Sequence, residues 1–82
     1  MNELDPPMTD YFRNDVLLKR PYIKIDWCLA ALQSPLKEEV QADDGRVRRW
    51  IFVEELGKYL RVVTLPDGVT LHNAFPDRRF NP

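Results

Sequence analysis

The sequence predicts an α+β domain in which two N-terminal helices pack on one face of a four-stranded antiparallel meander sheet. Two observations favour this fold class. Up to Pro35, apolar residues recur with the spacing of a helix, whereas after Pro35 they recur with the two-residue spacing of a strand. The later segments are also separated by short glycine-containing turns, and strands joined by short turns pair antiparallel with their neighbours.

Each helix is predicted from its apolar stripe and its ends. Thr9 or Asp10 can cap a first helix that runs to about Lys19, because Pro21 disfavours helical geometry in the residue before it. The second helix ends at Pro35. Its buried stripe has the i, i+3, i+4, i+7 spacing and consists of Ile25, Cys28, Leu29 and Leu32.

Four strands are predicted after the helices, at residues 38–42, 46–54, 58–65 and 69–75. The turns between them contain Gly45, Gly57 and Gly68. The turn at 66–68 has the sequence Pro-Asp-Gly, which combines a fixed φ, a carboxylate that accepts local backbone hydrogen bonds, and a permissive glycine. A meander with strand order equal to chain order follows from these short connections.

Length and composition restrict the class of protein. The chain has 82 residues, which suffice for one small domain, and it is 44% apolar and 30% charged, as expected for a water-soluble protein. Its formal charge of -1 gives no strong overall field that would attract nucleic acid or lipid. Since no apolar run approaches the roughly 20 residues that span a bilayer, and no signal-peptide pattern is present, a cytoplasmic protein without membrane contact is expected.

Residues 1–9 are predicted to be a disordered acidic tail, and residues 10–82 a single α+β domain. The tail is rich in proline and acidic residues and has little apolar surface to bury. Residues 11–82 alone carry 12 basic and 10 acidic side chains, so the domain itself is slightly positive. Its basic residues lie mainly in the C-terminal half.

Residue parity assigns side chains to the two faces of the sheet, if the turns contain no bulge. The odd face has more large apolar groups and is therefore predicted to lie under the helices. Arg61 would then be buried there, with Asp15 or Asp26 as its expected partner. The even face is predicted to be open, and it carries Arg48, Trp50, Phe52, Leu60, Val62, Thr64, Thr70, His72 and Ala74.

Two stretches resemble a known protein family. Residues 20–35 read Arg-Pro-Tyr-Ile-Lys-Ile-Asp-Trp-Cys-Leu-Ala-Ala-Leu-Gln-Ser-Pro, and residues 60–68 read Leu-Arg-Val-Val-Thr-Leu-Pro-Asp-Gly. Together with the Asp-Gly turn between them, they resemble a family of small uncharacterised bacterial proteins related to the RelE, ParE and BrnT type toxins. The resemblance covers residues 11–80 and implies a RelE-like fold and a role in a toxin–antitoxin pair. Family members often have a histidine early in the first helix, which residues 11–14 lack.

The resemblance also implies metal-independent RNA cleavage, which requires a proton-transfer group and cations near the phosphate. His72 is the candidate acid or base, because histidine titrates near neutral pH. Arg78 and Arg79 are the candidate phosphate ligands. A structural alternative is that His72 bonds within the sheet while the two arginines pair with Asp77 or with acidic residues of the tail. The predicted register places His72 and Arg61 on opposite faces, which disfavours a single site that uses both.

The open face also has the composition of a binding surface. Trp50 and Phe52 could stack on unpaired RNA bases, with Arg48, Lys58 and Arg61 on phosphates. Alternatively, an antitoxin-like protein partner or a second copy of the chain covers an apolar patch there. The predicted function is thus a metal-independent endoribonuclease or, alternatively, a non-catalytic interaction or homodimerising module.

No cofactor or metal is expected. Cys28 lies on the apolar stripe of the second helix and is predicted to be a core residue. Apart from this cysteine, the chain has a single imidazole ligand, His72, and the carboxylates have no ligand spacing. All three glycines fall in turns, so a glycine-rich phosphate loop is absent from the sequence.

Overall fold

Helix α1 begins where the Thr9 side chain caps it. In the computed structural model, which describes residues 5–82, the Phe12 amide donates to Thr9 Oγ1 at 3.1 Å. The helix consists of a π-helical segment, Phe12–Val16, that continues into an α-helical turn, Leu17–Lys19. Phe12 and Val16 are fully buried. The predicted cap and the predicted end before Pro21 are both confirmed.

Helix α2, Ile25–Gln33, follows after a short connection. Cys28 and Ala31 are completely buried, and the predicted stripe residues Ile25 and Leu32 pack against the same core. The helix ends before Ser34, as the following Pro35 predicts. Cys28 is therefore a core residue, as expected from its position on the stripe.

The sheet is the predicted antiparallel meander. Its strands are β1 (Lys37–Val40), β2 (Val47–Val53), β3 (Lys58–Thr64) and β4 (Leu71–Pro76), in the order β1-β2-β3-β4. All boundaries lie within two residues of the prediction. Strand β4 begins later than predicted because the Asp67 carboxylate accepts the amides of Val69 and Thr70, which extends the preceding turn.

The turn between β2 and β3 changes which residues share a face. Val53, and not Glu54, is the partner of Lys58, so four residues separate the strands. The Gly57 amide donates to Val53 O at 2.9 Å, and the φ of +63° at Gly57 is one that glycine adopts readily. Because side chains alternate between faces, even residues of β2 lie with odd residues of β3.

The predicted face assignment is therefore right for β2 and wrong for β3. Leu60 and Val62, predicted to be open, are completely buried in the core under the helices, whereas Arg61 lies on the open face opposite Trp50. The ion-pair partner of Arg61 is Asp77 and not Asp15 or Asp26. The assignment is also wrong for two residues of β4. Ala74 pairs with Val62 on the face under the helices, and Phe75 pairs with Arg61 on the open face.

The segment that precedes helix α1 also pairs with strand β4. Met8 forms a parallel bridge with Leu71, whose amide donates to Pro7 O at 2.9 Å and whose carbonyl accepts the Thr9 amide at 2.9 Å. Ordered structure therefore extends into the segment 1–9 that was predicted to be a loose tail; residues 1–4 lie outside the described residues. Composition did not reveal this contact, because the exposed backbone edge of β4 provides it. No helix within residues 5–82 has the length and apolarity required to cross a membrane.

Candidate nucleic-acid interface

One row of cross-strand partners runs across the open face of the sheet. Lys37 pairs with Trp50, Trp50 with Arg61, and Arg61 with Phe75. We call these four residues the open-face row. At about 4.8 Å between strands, the row spans about 14 Å and alternates cation and aromatic ring. Arg20 extends it beyond the β4 edge, with its guanidinium carbon 5.9 Å from the centre of the Phe75 ring.

Arg61 is held at the centre of this row by two rings and a carboxylate. Its guanidinium carbon is 5.4 Å from the Trp50 ring centre and 5.0 Å from that of Phe75, both within the range of cation–π attraction. Its Nη2 and Nε donate to Asp77 Oδ2 at 2.9 and 3.1 Å. The side chain of Arg61 is consequently fixed in orientation, and its positive charge is neutralised by the Asp77 carboxylate.

Asp77 anchors the end of β4 to the open face. The residue is 8% exposed, and its Oδ2 accepts Trp50 Nε1–H at 2.9 Å in addition to the Arg61 bonds. Burial opposes ionisation, but the hydrogen bonds from Trp50 and Arg61 outweigh it and lower the pKa of Asp77. From the sequence, Asp77 was expected only as a partner of Arg78 and Arg79, because pairing with Trp50 and Arg61 depends on distant contacts.

The C-terminal segment, which we define as residues 78–82, covers Trp50. The Phe80 ring stacks on the Trp50 ring with 4.9 Å between centres and 14° between planes. Tyr59 contacts Phe80 edge-on at 5.0 Å. As a result Trp50 is only 3% exposed, whereas Phe52 on the same face is 47% exposed. In this conformation the Trp50 ring is closed to a stacking base.

A pocket of about 300 Å³ opens beside Phe80. Its lining has four basic and two acidic side chains, together with Trp50, Phe80 and Asn81; the charged residues are Lys37, Arg48, Arg61, Arg79, Glu39 and Asp77. Glu39 lies 3.3 Å from the Lys37 ammonium and 3.8 Å from the Arg48 guanidinium, so one carboxylate is shared by two cations. Among the described residues the Arg79 guanidinium has no ion-pair partner. The pocket is therefore positively charged.

The three predicted catalytic residues do not come together. His72 lies near the start of β4, and Arg78 and Arg79 follow its other end. At about 3.4 Å per residue, about 17 Å of extended chain separates His72 from Asp77, the residue that precedes the two arginines. His72 Nδ1 is 3.1 Å from Thr9 Oγ1, and its ring is 5.2 Å from that of Tyr11.

The surroundings of His72 favour its neutral form. Burial lowers the pKa of its imidazole, the charge of Arg46 lowers it further, and only Asp44 acts in the opposite direction. The hydroxyl of Thr9 already accepts the Phe12 amide, so its hydrogen is available to a neutral His72 Nδ1. This contact joins the helix cap to β4, which is a structural role.

The predicted binding residues share one face, with one exception. Arg48, Trp50, Phe52 and Arg61 all lie on the open face, and Arg48 and Arg61 line the pocket. Lys58 is opposite Val53, a core residue under the helices, so it lies on the other side of the sheet.

Cysteine and metal chemistry have no geometric support among residues 5–82. Burial raises the pKa of the Cys28 thiol to about 12, so the thiol stays protonated at neutral pH and is a poor nucleophile. In that part of the chain, no group of three or more His, Cys, Asp or Glu side chains is placed to bind a metal ion.

Comparisons with known proteins give no relative. No protein-family model matches the chain, and searches of curated proteins and of solved structures found no significant match. The function is therefore inferred from the geometry of the open face.

Proposed function

We propose that this protein is a non-catalytic binding module that holds single-stranded RNA on the open face of its sheet. The observation that carries the proposal is the open-face row, in which cations and aromatic rings alternate across four strands. Proteins that bind single strands combine a basic groove along the backbone with aromatic side chains that stack on bases. The resemblance to RelE-type toxins also favours RNA as the ligand.

The charges of the pocket favour a phosphate. Lys37 and Arg48 share the single carboxylate of Glu39, and Arg79 has no ion-pair partner among the described residues. A phosphate group could therefore gain at least one charge-assisted hydrogen bond without breaking the Arg61–Asp77 pair. Because the whole chain has a formal charge of -1, this attraction is local to the pocket.

The same geometry disfavours cleavage. Metal-free cleavage needs a proton-transfer group within hydrogen-bond reach of the reacting oxygen. The residues that line the pocket include no histidine, and His72 lies at the far end of β4. The carboxylates of the pocket are already engaged, Glu39 by Lys37 and Arg48, and Asp77 by Arg61. We therefore assign binding, without catalysis, to this face.

Charge-altering variants test the proposal through the affinity for RNA. We expect Glu39→Gln to bind a fluorescently labelled, unstructured RNA of about 12 nucleotides more tightly than the wild-type chain. The substitution removes the carboxylate that pairs with the side chains of Lys37 and Arg48, so both become available to phosphate. Arg48→Ala should bind more weakly, and the slope of log K against log salt should become shallower by about 0.7 for the lost phosphate contact. Anisotropy titrations in EDTA measure both effects, and a gel of the same samples should show intact RNA.

Lys19→Ala is the matched control, because Lys19 is an exposed base on α1. Its affinity should equal that of the wild-type chain. Equal affinities for all four proteins, or no binding at about 50 mM salt, would refute the proposal. In that case, a sedimentation coefficient that rises with protein concentration would indicate the homodimer alternative, and a pure monomer would leave a protein partner as the alternative.

A further inference from the structure

The contact between Phe80 and Trp50 has the geometry of base stacking. The rings are nearly parallel, at 14°, with centres 4.9 Å apart, and offset stacking of this kind is what an aromatic side chain offers to a nucleic-acid base. Trp50 is fixed beneath Phe80, since its Nε1–H donates to the Asp77 carboxylate at 2.9 Å. The indole is thus a rigid platform occupied by the chain's own ring.

We infer that a base of the RNA stacks on Trp50 in the place of Phe80, so that the C-terminal segment and the RNA compete for one surface. This inference rests on the proposed function and specifies the base subsite and its regulation. The neighbouring pocket of about 300 Å³ reaches the size range of small-ligand sites, and its cations would hold the adjoining phosphate.

Asp77 and the C-terminal segment are held very differently. The Asp77 amide donates to Tyr59 O at 2.8 Å, and its carboxylate accepts the side chains of Trp50 and Arg61. Within residues 5–82, the hydrogen bonds of the C-terminal segment return only to Asp77: the Arg79 amide donates to Oδ1 at 3.0 Å and the Phe80 amide to the carbonyl at 3.4 Å.

Among the described residues, no hydrogen bond or ion pair joins the C-terminal segment directly to the sheet, and the Phe80 ring makes the stacking contact there. Asp77 is therefore the hinge, and Phe80 can leave Trp50 while the strand pairing and the Asp77 network stay intact. The energy that opposes opening is essentially that of two aromatic contacts of Phe80, the stack on Trp50 and the edge-on contact with Tyr59. A base on Trp50 would replace the stack.

The test combines Trp50 accessibility with RNA affinity in a Trp27→Phe background, where Trp50 is the remaining tryptophan. We expect Phe80→Ala to raise acrylamide quenching of Trp50 towards that of free tryptophan without RNA. The same variant should bind an oligoadenylate of about 12 nucleotides about tenfold more tightly, the equivalent of one stacking contact of about 1.4 kcal/mol. Phe80→Tyr, which keeps the ring, should resemble the parent in both measurements.

The outcomes separate this inference from the proposed function. An exposed Trp50 with weaker RNA binding would make Phe80 part of the binding surface, and would overturn the inference while leaving RNA binding intact. A Trp50 that stays shielded in Phe80→Ala would overturn it as well. RNA binding by none of the proteins, with Trp50 exposed in Phe80→Ala, would refute the proposed function and the inference together.

Hydrogen exchange on the wild-type chain provides a second measurement that does not depend on the folding of a variant. Saturation with the same oligoadenylate should increase the exchange rate of the Phe80 amide and leave the Asp77 amide protected, because the hinge does not move. Unchanged or slower exchange at Phe80 would contradict the displacement of the segment.

Discussion

Replacement of Asp77 by alanine is expected to lower the free energy of unfolding by about 3 kcal/mol. The side chain of Asp77 is 7% exposed and that of Arg61 26%, so the substitution leaves a largely buried guanidinium without its counter-charge. It also removes the acceptor of Trp50 Nε1–H. Urea denaturation followed by far-UV circular dichroism measures the loss. Asp77→Asn keeps an oxygen acceptor without the charge and should lose about half as much.

The pH dependence of this effect has a defined sign. Because the pKa of Asp77 is lowered in the folded protein, its contribution to stability is complete above the unfolded carboxylate pKa of about 3.9. The contribution is lost as the pH falls through the folded pKa, so the wild-type chain and Asp77→Asn should converge in acid. Asp43→Ala, which changes an exposed turn carboxylate, is the control. A loss as large in that control would contradict the role assigned to Asp77.

Leu60→Ala is expected to lower the free energy of unfolding by about 2–5 kcal/mol. Leu60 is completely buried beneath the helices, and truncation removes apolar contacts and leaves a cavity. Leu18→Ala makes the same chemical change on α1 at a side chain that is 74% exposed, and should change stability by less than about 0.5 kcal/mol. Urea denaturation of the two variants measures the difference.

The pair Leu60→Ala and Leu18→Ala also tests the register of the sheet. The parity rule without a bulge would place Leu60 on the open face, where truncation is well tolerated. A small loss for Leu60→Ala, close to that of the control, would mean that the four-residue turn after β2 is incorrect, and that Arg61 does not share a face with Trp50.

The sequence predicted the elements because each depends on local chemistry. The change of period after Pro35 and the helix cap at Thr9 act over a few residues, and both are confirmed. Which residues of neighbouring strands share a face of the sheet depends on the length of the turn between them. Nothing in the residues 54–57, Glu-Glu-Leu-Gly, distinguishes a three-residue from a four-residue connection. One residue of difference inverted the assignment for β3 and most of β4.

The candidate site was predictable only where it depended on a single strand. Arg48, Trp50 and Phe52 lie on the open face as their common parity within β2 predicted. The contacts of Trp50 with Asp77 and Phe80 join residues about 30 positions apart, and periodicity does not encode such distant pairings. Residue parity therefore predicted which β2 residues lie on the open face, but it did not predict that the C-terminal segment covers Trp50.

The most direct measurement of RNA binding by the open face is an NMR titration of the 15N-labelled chain with an unstructured RNA of about 12 nucleotides. The largest shift changes should fall on the amides of the open-face row and the C-terminal segment, and on the Trp50 indole Nε1–H. Amides of α1 and α2 on the opposite side should change little. Shift changes concentrated on the two helices, or a saturated complex whose open-face amides do not respond, would contradict the account.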